Sequence, residues 1–149
     1  MNLLILINKL LMIKFFYEKN NFKINDEYSI VKKIFLLLEN EKKYIGNIHY
    51  IFCEKNFILF INNKYLTNNS YTDVIAFDYS FNQHISGDIY ISIDQVLQNS
   101  KEFNQTFYDE LLRVMIHSIL HIIGYRDKKI NDKIMMKKKE NFYLNLFKN

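Results

Sequence analysis

A chain of 149 residues, 49% hydrophobic and 16% aromatic, is long enough to bury a core without disulfides and too apolar to stay disordered. Its single cysteine, Cys53, excludes an internal disulfide, suits a reducing cytoplasm and reads as a small apolar residue on a strand. The net charge of +4 is weak support for a nucleic-acid partner, because eighteen lysines against two arginines, nineteen asparagines and no proline follow from an AT-rich genome.

Residues 1–11 are apolar, yet they lack a basic start and a small-residue cleavage site, so they do not read as a signal peptide. They are also too short to span a bilayer. Either Met12 is the natural start or the segment adds a helical turn laid on the surface. From 12 to 149 no linker, repeat or charge block interrupts the chain, which reads as a single domain. Ile13–Tyr17 predicts a strand, and Asp26 caps a helix to about residue 40 with Ile30, Ile34, Leu37 and Leu38 as its apolar face. A second strand is predicted over 48–53, with His49 near its start, and a helix over 57–66. Residues 73–79 and 87–93 alternate as two further strands, joined by a loop that holds His84. His49 and His84 both read as surface histidines. Helices over 94–102, 107–123 and 131–147 complete the chain. Strands and helices alternate first and helices then dominate, which predicts an α+β fold, a small mixed four-stranded sheet covered by helices.

The helix predicted over 107–123 is apolar on most faces and should be buried. One polar stripe runs along it, formed by Glu110, Arg113, His117 and His121 at spacings of three, four and four. Histidines four apart project from one helix face, so their imidazoles can converge on one metal ion. Gly124 follows where helices commonly stop, and the chain can turn back to bring Asp127 toward the same point. Two nitrogens and one carboxylate leave a coordination position open, the pattern of a catalytic rather than a structural site. The competing reading is a core histidine pair closed off by a Glu110–Arg113 salt bridge. Zinc peptidases of the HExxH type carry a general-base glutamate after the first histidine; here that position is Ser118, which disfavours peptidase chemistry.

The segment from His117 to Asp127 resembles the signature of the YbeY family, His-Gly-x-Leu-His-Leu-x-Gly-Tyr-Asp-His, with His117, Leu120, His121, Gly124 and Tyr125 in register. Three further blocks agree: Ile61-Asn62 with Tyr65-Leu66, then Thr72 to Phe77, then Gly87-Asp88-Ile89 with Ile91-Ser92. The resemblance runs from about Met12 to the C-terminus. It implies a zincin-like α+β domain with its metal site on a buried central helix, and a bacterial metal-dependent, single-strand endoribonuclease of ribosomal RNA maturation. Three positions depart from the pattern. The third histidine is Asp127, the glycine after the first is Ser118, and an arginine that many members carry is Leu66. A carboxylate ligand removes one unit of positive charge from the metal, so harder ions such as Mn²⁺ become more competitive.

The expected activity is therefore metal-assisted hydrolysis of single-stranded RNA, since a recessed metal does not readily admit a stiff duplex. His117, His121 and Asp127 are expected to hold one divalent ion, Zn²⁺ by first choice, while Arg113 orients a neighbour or stabilises phosphoryl charge. No residue stands out as a general base. Asp73 and Asp88 sit at strand ends, where they either line the substrate pocket or cap the strands. Lys128, Lys129, Lys133, Lys137, Lys138 and Lys139 form either a solvated face or a path for phosphates, with Lys133 and Lys137 as candidate RNA contacts. The family resemblance implies precursor small-subunit ribosomal RNA and the small ribosomal subunit as partners, in the cytoplasm and away from membranes. Two other readings stay open: a non-catalytic, ribosome-associated RNA-binding factor braced by its metal, and a metallohydrolase of another substrate.

Overall fold

The computed structural model describes residues 2–4, 12–18, 21–66 and 72–148. Its elements, in chain order, are β1 (Ile13–Tyr17), α1 (Glu27–Asn40), β2 (Tyr44–Cys53), α2 (Lys55–Leu66), β3 (Val74–Asp78), β4 (His84–Ser92), α3 (Ile93–Glu102), α4 (Phe107–Ile123) and α5 (Ile130–Lys148). The strands form one sheet in the order β1-β2-β4-β3. β1, β2 and β4 run parallel and β3 is antiparallel to β4. The mixed four-stranded α+β architecture expected from the sequence is what forms.

Side chains alternate across the sheet with period two. Ile48, Tyr50 and Phe52 of β2 and Ile89 and Ile91 of β4 face inward and are fully buried. Met115, Ile116, Ile119 and Leu120 of α4 pack on them in the same core cluster. Tyr50 Oη lies 3.4 Å from the Met115 carbonyl, so α4 crosses directly over the sheet. On the other face α2 covers a smaller cluster of Cys53, Ile58, Ile61 and Ile75. Burial there pushes the Cys53 thiol up to about 12, which leaves it an inert apolar residue as the sequence suggested.

Asp26 caps α1 as predicted, its side chain accepting the Ser29 N–H at 3.0 Å. Other boundaries moved for reasons that lie outside the local sequence. α2 starts two residues before the predicted position because the Asp94 carboxylate, from α3, accepts the Lys55 N–H at 3.1 Å. β2 begins at Tyr44 rather than 48, through an irregularity between Ile45 and Ile48. Gly46 sits in that irregularity, where a Cβ would come within 2.8 Å of the Ile85 carbonyl oxygen. The same pairing corrects His84. It is not in a loop but opens β4 opposite Tyr44, and its ring stacks on the tyrosine at 5.3 Å. The expected surface turn over residues 1–11 lies largely outside the described residues; Leu3 and Leu4, which are described, are exposed. No described helix is long and apolar enough to cross a membrane.

Candidate metal centre

Thr106 starts α4 by accepting the Asp109 N–H, and Gly124 ends it with φ of +125°, a conformation that L side chains rarely adopt. The chain then reverses, and the reversal carries Asp127 back alongside the helix. His117 Nε2 stands 3.4 Å from Asp127 Oδ2, and His121 Nε2 stands 3.9 Å from Asp127 Oδ1. The three side chains named from the sequence are therefore brought together, with both Nε2 atoms aimed at one carboxylate.

Among the described residues no group of three or more His, Cys, Asp or Glu side chains stands, as arranged, close enough to hold a metal ion. The triad is an open set with one narrow and one wide edge. Ligands at about 2.0–2.1 Å around a tetrahedral cation stand about 3.4 Å apart; His117 Nε2 has that span to Asp127 Oδ2, whereas His121 Nε2 faces the other oxygen at 3.9 Å, so a shared cation requires a small rotation of the side chains. The donor chemistry fits a divalent ion as well. Two imidazoles and a carboxylate are borderline-to-hard ligands that suit Zn²⁺ or Mn²⁺.

What holds His117 was not visible in the sequence. Its Nδ1 lies 2.8 Å from Glu140 Oε2, on α5. A donor Nδ1–H there leaves Nε2 with its lone pair facing Asp127, the tautomer that a metal requires. Glu140 is buried, and its other oxygen accepts Arg113 Nη1 at 2.9 Å. Arg113 in turn grips Glu110, through Nε at 2.7 Å and Nη2 at 2.6 Å. The salt bridge of the competing reading thus exists, but it braces the histidine through Glu140 instead of closing off the pair. Of the two roles expected for Arg113, the geometry favours orienting a neighbour, since three of its nitrogens already face carboxylates.

The sign of the cluster matters. Glu110, Asp73 and Glu140 face one guanidinium and Asp127 faces the two imidazoles, so carboxylates outnumber the one fixed cation and the site invites another. Burial alone would lower the His117 imidazolium, yet the hydrogen bond and charge of Glu140, with Asp127 and Asp73, raise it above its ordinary value. Burial pushes the Glu140 carboxyl up, and His117 and Arg113 outweigh that and hold it below the usual range. Asp73 stays above its ordinary value, burial outweighing Arg113 and His117.

Asp73 and Asp88, expected either to line the substrate pocket or to cap strands, both have partners within the protein. Asp73 accepts Asn99 Nδ2 at 3.3 Å and faces Arg113 Nη2 at 3.9 Å, so it belongs to the buried charge cluster. Asp88 lies on the opposite face of the sheet: its neighbour Gly87 approaches Ile122 of α4, and strand alternation sends Asp88 the other way. There it pairs with His49 Nδ1 at 3.1 Å, which also gives His49 a partner that the surface reading did not foresee. Lys133 and Lys137 lie beside the triad. Both line a cleft of about 880 Å³ together with Arg113, His117, Asp127 and Glu140. A second cleft, of about 960 Å³, opens on the other side and is lined by His117, His121, Asp127, Asn62, Leu66 and Lys128. His117 and Asp127 line both and His121 the second alone, so the triad stands where the two clefts meet. Lys139 points elsewhere, 3.2 Å from Glu41 Oε2.

The family profile described as Endoribonuclease YbeY matches residues 13–148. The chain belongs to the YbeY endoribonuclease family. An Endoribonuclease YbeY of Karelsulcia muelleri is 47% identical over 133 residues, 89% of this chain and 94% of that protein. One of Flavobacterium psychrophilum is 46% identical over 136 residues, 91% of this chain and 96% of its own length. A Thermotoga maritima protein of known solution structure superposes with a TM-score of 0.67 at 27% identity, covering 91% of this chain and 89% of that one.

The structure places this chain's departures from the YbeY pattern. Ser118 is buried and turned from the triad, its hydroxyl donating to the Met115 carbonyl at 2.8 Å, so it is no substitute for a general base. Leu66 lies in the wall of the second cleft and is half exposed there. Asp127 stands where the pattern has its third histidine and faces both imidazoles.

Proposed function

We propose that this YbeY-family chain is a single-strand-specific, metal-dependent endoribonuclease, acting in the cytoplasm on precursor small-subunit ribosomal RNA bound to the assembling small subunit. The observation that carries the proposal is the meeting of His117 Nε2 and His121 Nε2 on the Asp127 carboxylate, with His117 Nδ1 tied to Glu140. His117, His121 and Asp127 would hold one divalent ion, and Zn²⁺ is the first choice. Such an ion supplies Lewis-acid polarisation of a phosphodiester and of the attacking water. The protein does the rest. Glu140 fixes the tautomer and tilt of His117, and Arg113 fixes Glu140. That position lets a single strand run from one cleft into the other with one phosphate at the triad.

Asp127 tests the proposal most directly. Asp127→Ala should weaken Zn²⁺ affinity by orders of magnitude, read by metal titration of the metal-free protein. Asp127→His should retain the ion, restore a unit of its effective charge and move the acidic limb of the pH–rate profile for a single-stranded RNA to lower pH. Wild-type metal affinity in Asp127→Ala would place the third ligand elsewhere.

The cleft lysines supply a separate test. Lys133→Gln with Lys137→Gln should weaken single-stranded RNA binding and flatten its salt dependence by about 0.7 in logarithmic slope for each phosphate that is no longer neutralised. The rate at saturating RNA should change little, because these charges meet ground and transition states alike. An unaltered salt slope would make both lysines a solvated face.

A further inference from the structure

Glu41 ends α1 and takes no part in the triad or its bracing, yet its side chain is only 8% exposed. Its two oxygens accept three donors from two other parts of the chain. Tyr125 Oη is 2.5 Å from Oε1; Tyr143 Oη at 2.6 Å and Lys139 Nζ at 3.2 Å share Oε2. The Lys139 ammonium also lies 5.4 Å from the centre of the Tyr125 ring, and Asn40 Nδ2 donates to Tyr143 Oη at 3.0 Å. Lys42, the next residue, takes φ of +59°, the left-handed conformation that commonly closes a helix. With that bend the Lys43 N–H reaches the Leu38 carbonyl at 2.8 Å.

Tyr125 belongs to the reversal after α4 and stands two residues before Asp127. The backbone secures the start of that reversal: the Gly124 and Tyr125 N–H groups return to the Leu120 carbonyl at 3.2 and 3.0 Å. The Tyr125 hydroxyl then ties it to a rigid helix end on the far side. We infer that Glu41 is a positioning residue for the metal centre, holding the Tyr125 hydroxyl so that the segment after α4 presents Asp127 to His117 and His121. The inference rests on the reading of Asp127 as a ligand. A carboxylate with three donors and little exposure is a stiff anchor, which Tyr125 and Lys139 still hold when Tyr143 no longer donates.

The two tyrosines separate positioning from mere stabilisation. Tyr125→Phe frees the ligand-bearing segment, whereas Tyr143→Phe removes a donor from the same carboxylate on the α5 side, where Arg113 still holds Glu140. Zn²⁺ titration of the metal-free variants should show affinity weakened on the order of tenfold or more in Tyr125→Phe and in Glu41→Gln, and nearly unchanged in Tyr143→Phe. Hydrogen exchange at amides 125–128, measured without metal, should rise in the first two alone. Glu41→Gln carries the test if Tyr125→Phe does not fold. Asp127→Ala is run beside them. If it loses Zn²⁺ while Tyr125→Phe and Glu41→Gln bind like wild type, or while Tyr143→Phe weakens binding as much as Tyr125→Phe, the positioning role is overturned and the ligand assignment stands. If Asp127→Ala itself binds like wild type, the ligand assignment falls and the positioning role with it.

Discussion

His121→Ala should strip the protein of its divalent ion and lower cleavage of single-stranded RNA by on the order of a thousandfold, with little change in thermal stability. His121 is the better of the two histidines for this experiment. Its side chain is 49% exposed and its Nε2 approaches Asp127 no closer than 3.9 Å, so its removal leaves no buried group stranded. His117→Ala, by contrast, leaves Glu140 with a buried oxygen deprived of its 2.8 Å partner. A fall in activity there mixes loss of the ion with damage to α5. Elemental analysis of purified wild type and His121→Ala, beside cleavage of a single-stranded RNA and the matching duplex, gives a clear reading. Equal metal content in both proteins would rule out the metal centre, and duplex cleaved as fast as single strand would rule out the strand preference. Intact RNA binding with no wild-type turnover would favour a binding factor over a nuclease.

The parts of the site legible in the sequence are those carried by one helix and one reversal. An apolar helix with polar residues spaced three, four and four has to satisfy them somewhere, and the glycine after it forecasts the turn that returns Asp127. The partner of that stripe is not legible by the same logic. Glu140 lies 27 residues beyond Arg113, in a helix whose composition is dominated by lysine. A weak signal exists even so: Met136, Glu140 and Tyr143, at spacings of four and three, are the buried face of α5, and a glutamate on such a face needs a cation or a donor. The place of Asp88 is illegible for a different reason. It stands in a block that matches the family, but a one-residue parity sends it to the far side of the sheet, and parity is fixed by register, not by composition. His84 and the early start of β2 depend on each other through the distant Tyr44–His84 pairing, so local periodicity carries no trace of either. Glu41 and Tyr125 meet at a distance of 84 residues in the same way.

Glu140 is where the largest combined effect on folding and metal affinity is expected. Glu140→Ala strands Arg113 Nη1 and His117 Nδ1 in a buried setting, and removal of one partner from such a network is worth about 3–5 kcal/mol of stability. Glu140→Gln keeps the volume, but its single acceptor oxygen can serve Arg113 or His117 and not both. That variant should fold with a smaller loss and bind Zn²⁺ about 10–100-fold more weakly, the range for removing a carboxylate behind a ligating histidine. The pH dependence of the metal-free protein checks the same pair. Glu140 has its carboxyl held below the ordinary 4.5, so its contribution is present above that value and lost as pH falls through the lower folded value. His117 is raised above the ordinary 6.5, so its contribution is complete below that value and lost as pH rises through the higher folded value. Metal-free wild type should therefore gain most from the pair between 4.5 and 6.5. Zn²⁺, which needs the His117 Nε2 lone pair, should bind more tightly as pH climbs out of that window. Denaturant titrations of metal-free wild type and Glu140→Gln across the range should show the excess stability of wild type shrinking on both sides. A constant difference would mean that Glu140 and His117 do not share a proton-linked interaction, and the tautomer argument for Nε2 would lose its support.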